Sequence, residues 1–394
     1  MRKSSPQPTT EQADEARPWW KRLWRKSRYV VTLALVLMVL AGVVIGGWHA
    51  ANSHAASNNI NCTPNAILVN PCRPWFGAAA GKNPGAPSDS LSQAEYLDSL
   101  VGQNLDIFRF YHRPSGSNDQ GDLPLDPQTA TGKAELHFVE SSTTYIDVNW
   151  KPASTWAEAD GGNQTVNAEI IQVAKNIKAV APHKIFLTVW HEPQNDVSAF
   201  DNSAEQNACQ SDPNFNGLKG SAGTPGDYTK MWHNVQTIFN QQGVTNVVWA
   251  MNYMSYISFN CLIPYLWPGN QSVDWVLYDT YARGNKTYAE SSGAFYSVLQ
   301  KDSSMSVDLN SKPWGLGEFN DCNPPVPQDA ITYFNDVRTA FQANTYPKLK
   351  MYLVFADIGP QGKSGCLTNY NDQGQPFPAK QAAFNQLAKA VLNK

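Results

Sequence analysis

Hydrophobic runs alternate with amphipathic segments along most of the chain. Eight runs of apolar and β-branched residues are typical of buried strands, and they lie at 75–80, 105–111, 143–150, 184–190, 245–253, 273–281, 313–319 and 349–357. Segments with apolar residues at helical spacing lie at 167–181, 228–243, 329–343 and 379–393. Strands that alternate with helices predict a parallel sheet, and eight such units predict an α/β fold of the (β/α)8 TIM barrel class.

An open, doubly wound sheet is the alternative fold. Such a sheet typically carries a glycine-rich first turn, and FGAAAGKNPG after the first run lacks the GxGxxG spacing. Two long polar stretches, 113–140 and 196–227, each follow the carboxyl end of a predicted strand. Because loops at that end of a barrel build its active site, we expect both stretches near the site.

The N-terminal region differs from the rest of the chain. Residues 1–28 are polar and basic, and residues 29–47 carry no charge. An uncharged apolar run of this length can cross a hydrocarbon core of about 30 Å, and no Lys or Arg follows until Arg73. The positive-inside rule therefore predicts a cytoplasmic basic segment (1–28), a transmembrane or signal helix (29–47), a linker (48–64) and an external barrel (65–394). Retention in the cell membrane and secretion after cleavage near ANSHAAS (51–57) both stay open.

The amino-acid composition limits the classes of partner and cofactor that we expect. The net charge is −3 and no basic run lies beyond the N-terminal segment, so no nucleic-acid partner is expected. All six cysteines follow the apolar segment, and an even number in an exported domain indicates disulfides. Nearness in sequence favours the pair Cys62–Cys72. The cysteines lack the short Cys-x-x-Cys spacing of zinc sites, and we expect no metal, no cofactor and a monomer.

Two glutamates occupy matching places on the predicted barrel. Glu192, in KIFLTVWHEPQND, and Glu318, in SKPWGLGEFND, are each expected just past the carboxyl end of a strand, on the fourth and the seventh run. Opposed carboxylates suit glycoside hydrolysis, in which one protonates the leaving oxygen and the other attacks the anomeric carbon or activates a water. The carboxyl with the raised pKa is then the acid.

Each glutamate also has simpler interpretations. A single Glu at a strand end is more often a solvated or ion-paired residue. A zinc site of the HExxH type needs a second His where Asn195 stands, and Pro193 would break the helix that this motif requires. A serine hydrolase would carry GxSxG, which is absent.

The pair of glutamates resembles clan A of the glycoside hydrolases, which has the acid/base on strand four and the nucleophile on strand seven. A His before the acid/base resembles glycoside hydrolase family 26, whose members include β-mannanases and some mixed-linkage β-glucanases and xylanases. WFGAAA (75–80), VNWKPASTW (148–156) and WGLGEFND (314–321) are similar to strands of that family, and the resemblance covers about residue 75 to the C-terminus. It implies that Glu192 is the acid/base, that Glu318 is the nucleophile and that Tyr281 binds Glu318. The candidate substrate-binding residues are His191, Trp150, Lys151, Tyr281, Arg109, Asn252 and Trp249.

The sequence departs from the family around the acid/base. PQNDVSAFDN follows the His–Glu pair where studied mannanases have a Gly and several Trp, and the eighth strand offers Phe355. The expected function is therefore a retaining endo-β-glycanase acting on an extracellular polysaccharide, either β-mannan or a related β-glucan or xylan. The alternative is a non-catalytic carbohydrate-binding or cell-envelope protein on a barrel scaffold.

Overall fold

Eight parallel strands close into a barrel in the order β1 to β8, with β8 pairing back to β1. The computed structural model describes residues 62–114, 122–141, 143–282, 286–322, 324, 326–358 and 364–394. These residues fall in one compact unit, Asn61–Lys394. The predicted (β/α)8 barrel is confirmed, and the open doubly wound alternative is excluded because the sheet has no edge strand.

The predicted segments 1–28 and 29–47, and most of the linker 48–64, lie outside the described residues. Within the ranges that the structure describes, no helix has both the length and the apolar character needed to span a bilayer. The membrane segment and the orientation of the chain therefore stay predictions from the sequence.

Every predicted hydrophobic run overlaps one strand. The strands are β1 Trp75–Ala80, β2 Ile107–His112, β3 Tyr145–Trp150, β4 Ile185–Val189, β5 Val247–Met254, β6 Trp275–Tyr281, β7 Trp314–Asn320 and β8 Leu349–Ala356. The α-helices of the described ranges are α1 Ser90–Val101, α2 Ala130–Ser141, α3 Gln164–Ala179, α4 Ser203–Ser211, α5 Pro225–Gln241, α6 Ala294–Asp302, α7 Pro327–Gln342 and α8 Pro378–Leu392.

The two polar stretches are not wholly irregular. Helix α2 lies at the end of the first and buries Phe138 and Val139 against the barrel. Helix α4 lies within the second and buries only Cys209, so it carries no apolar periodicity that a sequence pattern could reveal. Helices α1 and α6 were also not predicted, although α1 has a regular start, where Asp89 accepts from the backbone of Ser92.

The barrel interior changes character along its axis. An apolar cluster fills the amino-terminal end, where Ile107, Phe186 and Trp275 meet. A larger hydrophobic cluster lies between the strands and the surrounding helices. Buried polar side chains, including Arg109 and Asp279, come further along the strands. The closed apolar end supports a polar carboxyl-terminal end, where barrel active sites are built.

Three disulfides link the described cysteines. Cys62–Cys72 is confirmed as the pair that sequence proximity favoured. Cys209–Cys261 joins α4 to the segment after β5, and Cys322–Cys366 joins the segments after β7 and β8. The last two therefore bind together connections at the carboxyl-terminal end of the barrel.

Candidate active site

Glu192 lies just beyond β4 in an unusual backbone conformation. Its φ is +51° and that of Trp190 is +63°, a region that costs non-glycine residues about 1 kcal/mol or more. Neighbouring contacts hold this turn: the Glu192 N–H donates to the Asn252 carbonyl at 2.9 Å and the Trp190 N–H donates to the Trp150 carbonyl at 2.9 Å. Pro193 then begins a short 3-10 turn, Pro193–Asn195. The strand has already ended at Val189, so the left-handed residues Trp190 and Glu192, and not Pro193, take the chain out of the sheet.

Glu318 lies within β7, whereas the sequence had placed it just past the carboxyl end of its strand. The pairing of β6 with β7 passes from Tyr278–Leu316 directly to Asp279–Glu318, so Gly317 is the extra residue of a β-bulge. A side chain at Gly317 would collide with Asn252, Arg109 and Asp279. Only glycine fits there, and the bulge turns Glu318 into the barrel.

Two tyrosines hold the Glu318 carboxylate. The Tyr111 hydroxyl on β2 donates to Oε1 at 2.6 Å, and the Tyr281 hydroxyl on β6 donates to Oε2. Hydroxyl donors on both oxygens stabilise a negative charge and fix the direction of the carboxylate. The sequence reasoning missed Tyr111, although it lies two residues after Arg109 and so shares that residue's inward face.

Arg109 and Asn252 lie beneath the two glutamates and not in the cleft. Arg109 Nη2 donates to Asn252 Oδ1 at 2.7 Å and Nη1 lies 3.4 Å from Asp279 Oδ1. The Arg109 Nε lies 3.6 Å from Asp147 Oδ2, and Asn252 Nδ2 donates to Asp279 Oδ2 at 2.8 Å. The Arg109 side chain has no exposed surface. Its prediction as a substrate-binding residue is therefore replaced by a role in compensating buried carboxylates, with Asn252 as its partner.

Trp150 and Trp249 also lie away from the cleft. Trp150 is 1% exposed and packs in the cluster between strands and helices. Trp249 packs against Phe239 and Trp232 of α5, with ring centroids 5.4 and 6.3 Å away. Because side chains alternate along a strand, the inward position next to Trp249 belongs to Val248. The prediction that these two tryptophans bind substrate does not fit their outward direction.

His191 and Lys151 border Glu192. The His191 ring packs on Tyr111 with centroids 5.6 Å apart. Lys151 Nζ binds Asp196 Oδ2 at 3.0 Å and lies 4.6 Å from the centre of the Trp190 ring. The structure thus brings His191, Lys151 and Tyr281 to the two glutamates.

The two glutamates differ in their electrostatic surroundings. Burial and the negative charge of Glu318 raise the pKa of Glu192 to about 8, while Arg109 and Lys151 oppose the rise. Burial, with the charge of Glu318 second, also raises the pKa of Asp279 well above its ordinary value. Glu192 therefore keeps its proton to a higher pH than an ordinary glutamate, and it lies opposite Glu318, whose two oxygens accept hydroxyl hydrogen bonds.

The same groups include one arrangement that could hold a metal. Ligand atoms of His191, Asp279 and Glu318 lie within 4.8 Å of one another. Asp279 already accepts from Arg109 and Asn252, and Glu318 accepts from two tyrosines. These donors compete for the lone pairs that a metal would need, and the arrangement suits proton transfer better than metal binding.

No protein-family model matches the sequence, and no curated protein matches it either. Solved structures do match. The barrel resembles those of glycoside hydrolase family 26. The catalytic domain of the Bacillus sp. JAMB-750 GH26 endo-β-1,4-mannanase is 14% identical, with 81% of this chain and 86% of that chain covered at a TM-score of 0.53. GH26C from Muricauda sp. is also 14% identical, with 84% and 88% covered at a TM-score of 0.51. At this identity the similarity establishes a common fold.

Proposed function

We propose that the protein is a retaining glycoside hydrolase that cleaves a β-linked polysaccharide. The observation that carries the proposal is a glutamate clamped by two tyrosines, opposite a buried glutamate whose pKa is raised. Glu318 is held by Tyr111 and Tyr281, while burial and Glu318 raise the pKa of Glu192 to about 8. One group is thereby prepared to attack and the other to donate a proton.

The proposed reaction has two displacements. Glu318 attacks the anomeric carbon while Glu192 gives its proton to the glycosidic oxygen, the bond from that oxygen to carbon breaks, and a glycosyl–enzyme ester forms. Glu192, now ionised, takes a proton from water, which attacks the same carbon and releases Glu318. Two inversions give net retention of the anomeric configuration.

A β-mannan or a related β-glucan or xylan is the proposed substrate class. The solved structures that match the barrel include a protein named as an endo-β-1,4-mannanase, which supports this class. The segment after Glu192, PQNDVSAFDN, differs from the tryptophan-rich segment of the studied mannanases that the sequence otherwise resembles. The sugar is therefore proposed only at the level of neutral β-linked polymers.

The decisive experiment measures hydrolysis and then assigns the two roles. The full-length protein is screened on mannans, mixed-linkage β-glucans, xylans and bacterial capsular polymers, and proton NMR follows the anomer released first. Glu318→Ala should lose activity on every substrate. Glu192→Ala should retain activity on aryl glycosides with good leaving groups, and azide should restore its second step as a β-glycosyl azide forms.

Glu140→Gln is the matched control, because Glu140 is exposed on α2 and should leave all rates unchanged. Release of the inverted anomer would remove the nucleophile assignment of Glu318. Full activity in both glutamate variants would place the active site elsewhere. Glycan binding without hydrolysis of any polymer would favour the non-catalytic alternative.

We also propose that the barrel acts outside the cell, attached through residues 29–47 or released after cleavage. Support comes from the uncharged run and from the lysines and arginines on its N-terminal side. Protease added to intact cells should digest the barrel region of the anchored protein. Protection that disappears only after lysis would contradict this orientation.

A further inference from the structure

A groove of about 630 Å³ lies in the connection between β4 and α5. This volume is within the range of ligand sites, about 300–1,000 Å³. The connection contains α4, and both sides of the groove come from residues between Ala199 and Leu218. The side chains used below are Phe200, Phe215, Leu218, Gln206 and Gln210.

The lining is aromatic and amide-bearing, with no ionisable side chain. Phe200 and Phe215 are half-buried, and their ring centroids lie 6.1 Å apart. Gln206 and Gln210 are exposed and lie one helical turn apart on α4, so their amides point from one face. Aromatic faces receive the C–H surface of a sugar ring, and amides bind hydroxyls as both donors and acceptors. The lining fits a neutral glycan and offers nothing to pair with a charged one.

The groove is held in shape before any ligand arrives. The Cys209–Cys261 disulfide fixes α4 to the segment after β5. Asn216 Nδ2 donates to Ser258 Oγ at 2.8 Å, and Phe215 packs edge-on against Phe259 with centroids 6.1 Å apart. A rigid site loses less entropy when a ligand binds.

The groove also lies close to the candidate active site in the sequence. Ala199, at its near end, follows Glu192 by seven residues, so at most about 25 Å of extended backbone separates them. Between them, Asp196 binds both Lys151 and the Trp190 indole, and the Ser198 N–H donates to the Gly223 carbonyl. Both regions lie in connections at the carboxyl-terminal end of the barrel. A short oligosaccharide can span the distance of at most about 25 Å between Glu192 and Ala199.

We propose that this groove binds a distant part of the same neutral β-linked polysaccharide whose backbone is cleaved between Glu192 and Glu318. This inference rests on the proposed hydrolase function. A subsite remote from the reacting bond increases the affinity for long chains and leaves the chemistry on short substrates unchanged. Loss of the groove should therefore affect polymers and not small aryl glycosides.

The test compares groove variants in the full-length protein. Binding is measured in the Glu318→Gln background by affinity electrophoresis in gels that contain galactomannan, glucomannan, mixed-linkage β-glucan or arabinoxylan, with alginate as the charged comparison. The variants are Gln206→Ala combined with Gln210→Ala, which changes only exposed side chains, and Phe200→Ala. Gln241→Ala is the control, since Gln241 is exposed at the last residue of α5, at the opposite end of the barrel.

At least one neutral polymer should retard the parent, and both groove variants should bind it about five- to tenfold more weakly. With Glu318 restored, the kcat/KM on that polymer should fall by the same factor, while the kcat/KM on an aryl glycoside stays within about twofold. Retardation by alginate alone, no retardation by any polymer, or groove variants that bind like the parent would overturn the proposal. Polymer binding that depends on the groove, without hydrolysis, would instead refute the proposed hydrolase function and support glycan binding in the groove. Hydrolysis with binding that does not depend on the groove would refute only the proposal that the groove binds the polysaccharide.

Discussion

Replacing Tyr111 by Phe removes one hydroxyl from the clamp on Glu318 and keeps the ring that packs on His191. The lost hydrogen bond is 2.6 Å long and ends on a carboxylate oxygen. A hydrogen bond to a charged group contributes about 1.5–3 kcal/mol. Because each 1.36 kcal/mol is a factor of ten in rate, the bond is worth at most about 10- to 150-fold.

The effect should fall on the second displacement. In the first, Glu318 gives up negative charge as it bonds to carbon, so a hydroxyl on Oε1 stabilises the reactant more than the transition state. In the second, negative charge returns to Glu318 as it leaves, and Tyr111 stabilises that charge. Tyr111→Phe should therefore slow release of the glycosyl group without slowing attack, and the covalent intermediate should accumulate.

Stopped-flow kinetics with an aryl glycoside of the preferred sugar measure both steps. Tyr111→Phe should give a burst of phenolate whose amplitude is near the enzyme concentration. The steady rate that follows should be reduced by at most about 10- to 150-fold. Tyr145→Phe is the control, because Tyr145 begins β3 at the other end of the barrel and packs on Trp75. Unchanged rates in Tyr111→Phe, or a slower first step without a burst, would refute the clamp as a stabiliser of the leaving carboxylate.

Two further predictions concern pH. Since the pKa of Glu192 is raised to about 8, kcat/KM should fall about tenfold per pH unit above that value, and Glu192→Gln should lose this alkaline limb on an activated aryl glycoside. His112 is buried between Asp122 and Glu135, 2.9 and 2.6 Å away. Burial lowers the pKa of its ring, but the charges and hydrogen bonds of the two carboxylates outweigh burial and raise the pKa to about 10 from 6.5. Its folded-state pKa lies above the unfolded value, so its stabilisation is complete below about pH 6.5 and is lost as the pH rises through about 10. The thermal midpoint should fall over this interval in the parent and in a His137→Gln control, and His112→Gln should flatten the fall.

The strands could be predicted because a closed parallel sheet is buried on both faces. The strands are then mostly apolar runs, and β4, Ile185–Val189, is buried at every position. The same property hides which side chains face the interior. Trp150 and Trp249 were predicted to bind substrate, whereas their direction is set by the two-residue period of their strands. Trp249 packs on α5 while Val248 points inward.

The helices could be predicted only where they bury apolar residues at helical spacing. Helices α3, α5, α7 and α8 carry buried residues at helical spacing and were predicted from that spacing. Helix α4 buries one cysteine and is held by a disulfide to a segment 52 residues away. Local hydrophobic periodicity contains no record of such a long-range constraint.

Glu318 shows why a site can be located from sequence while its geometry cannot. Strict alternation along β7 would give Glu318 the face of Trp314 and Leu316, which both pack outward against the helices. The bulge at Gly317 reverses that direction, and it needs a glycine there because Arg109 and Asp279, from two other strands, occupy the space that a side chain would need. The charge of Glu318 then raises the pKa of Glu192, so the acid depends on a glycine far away in sequence. The chemistry of the site therefore follows from contacts between strands, and these exist only once the barrel has closed.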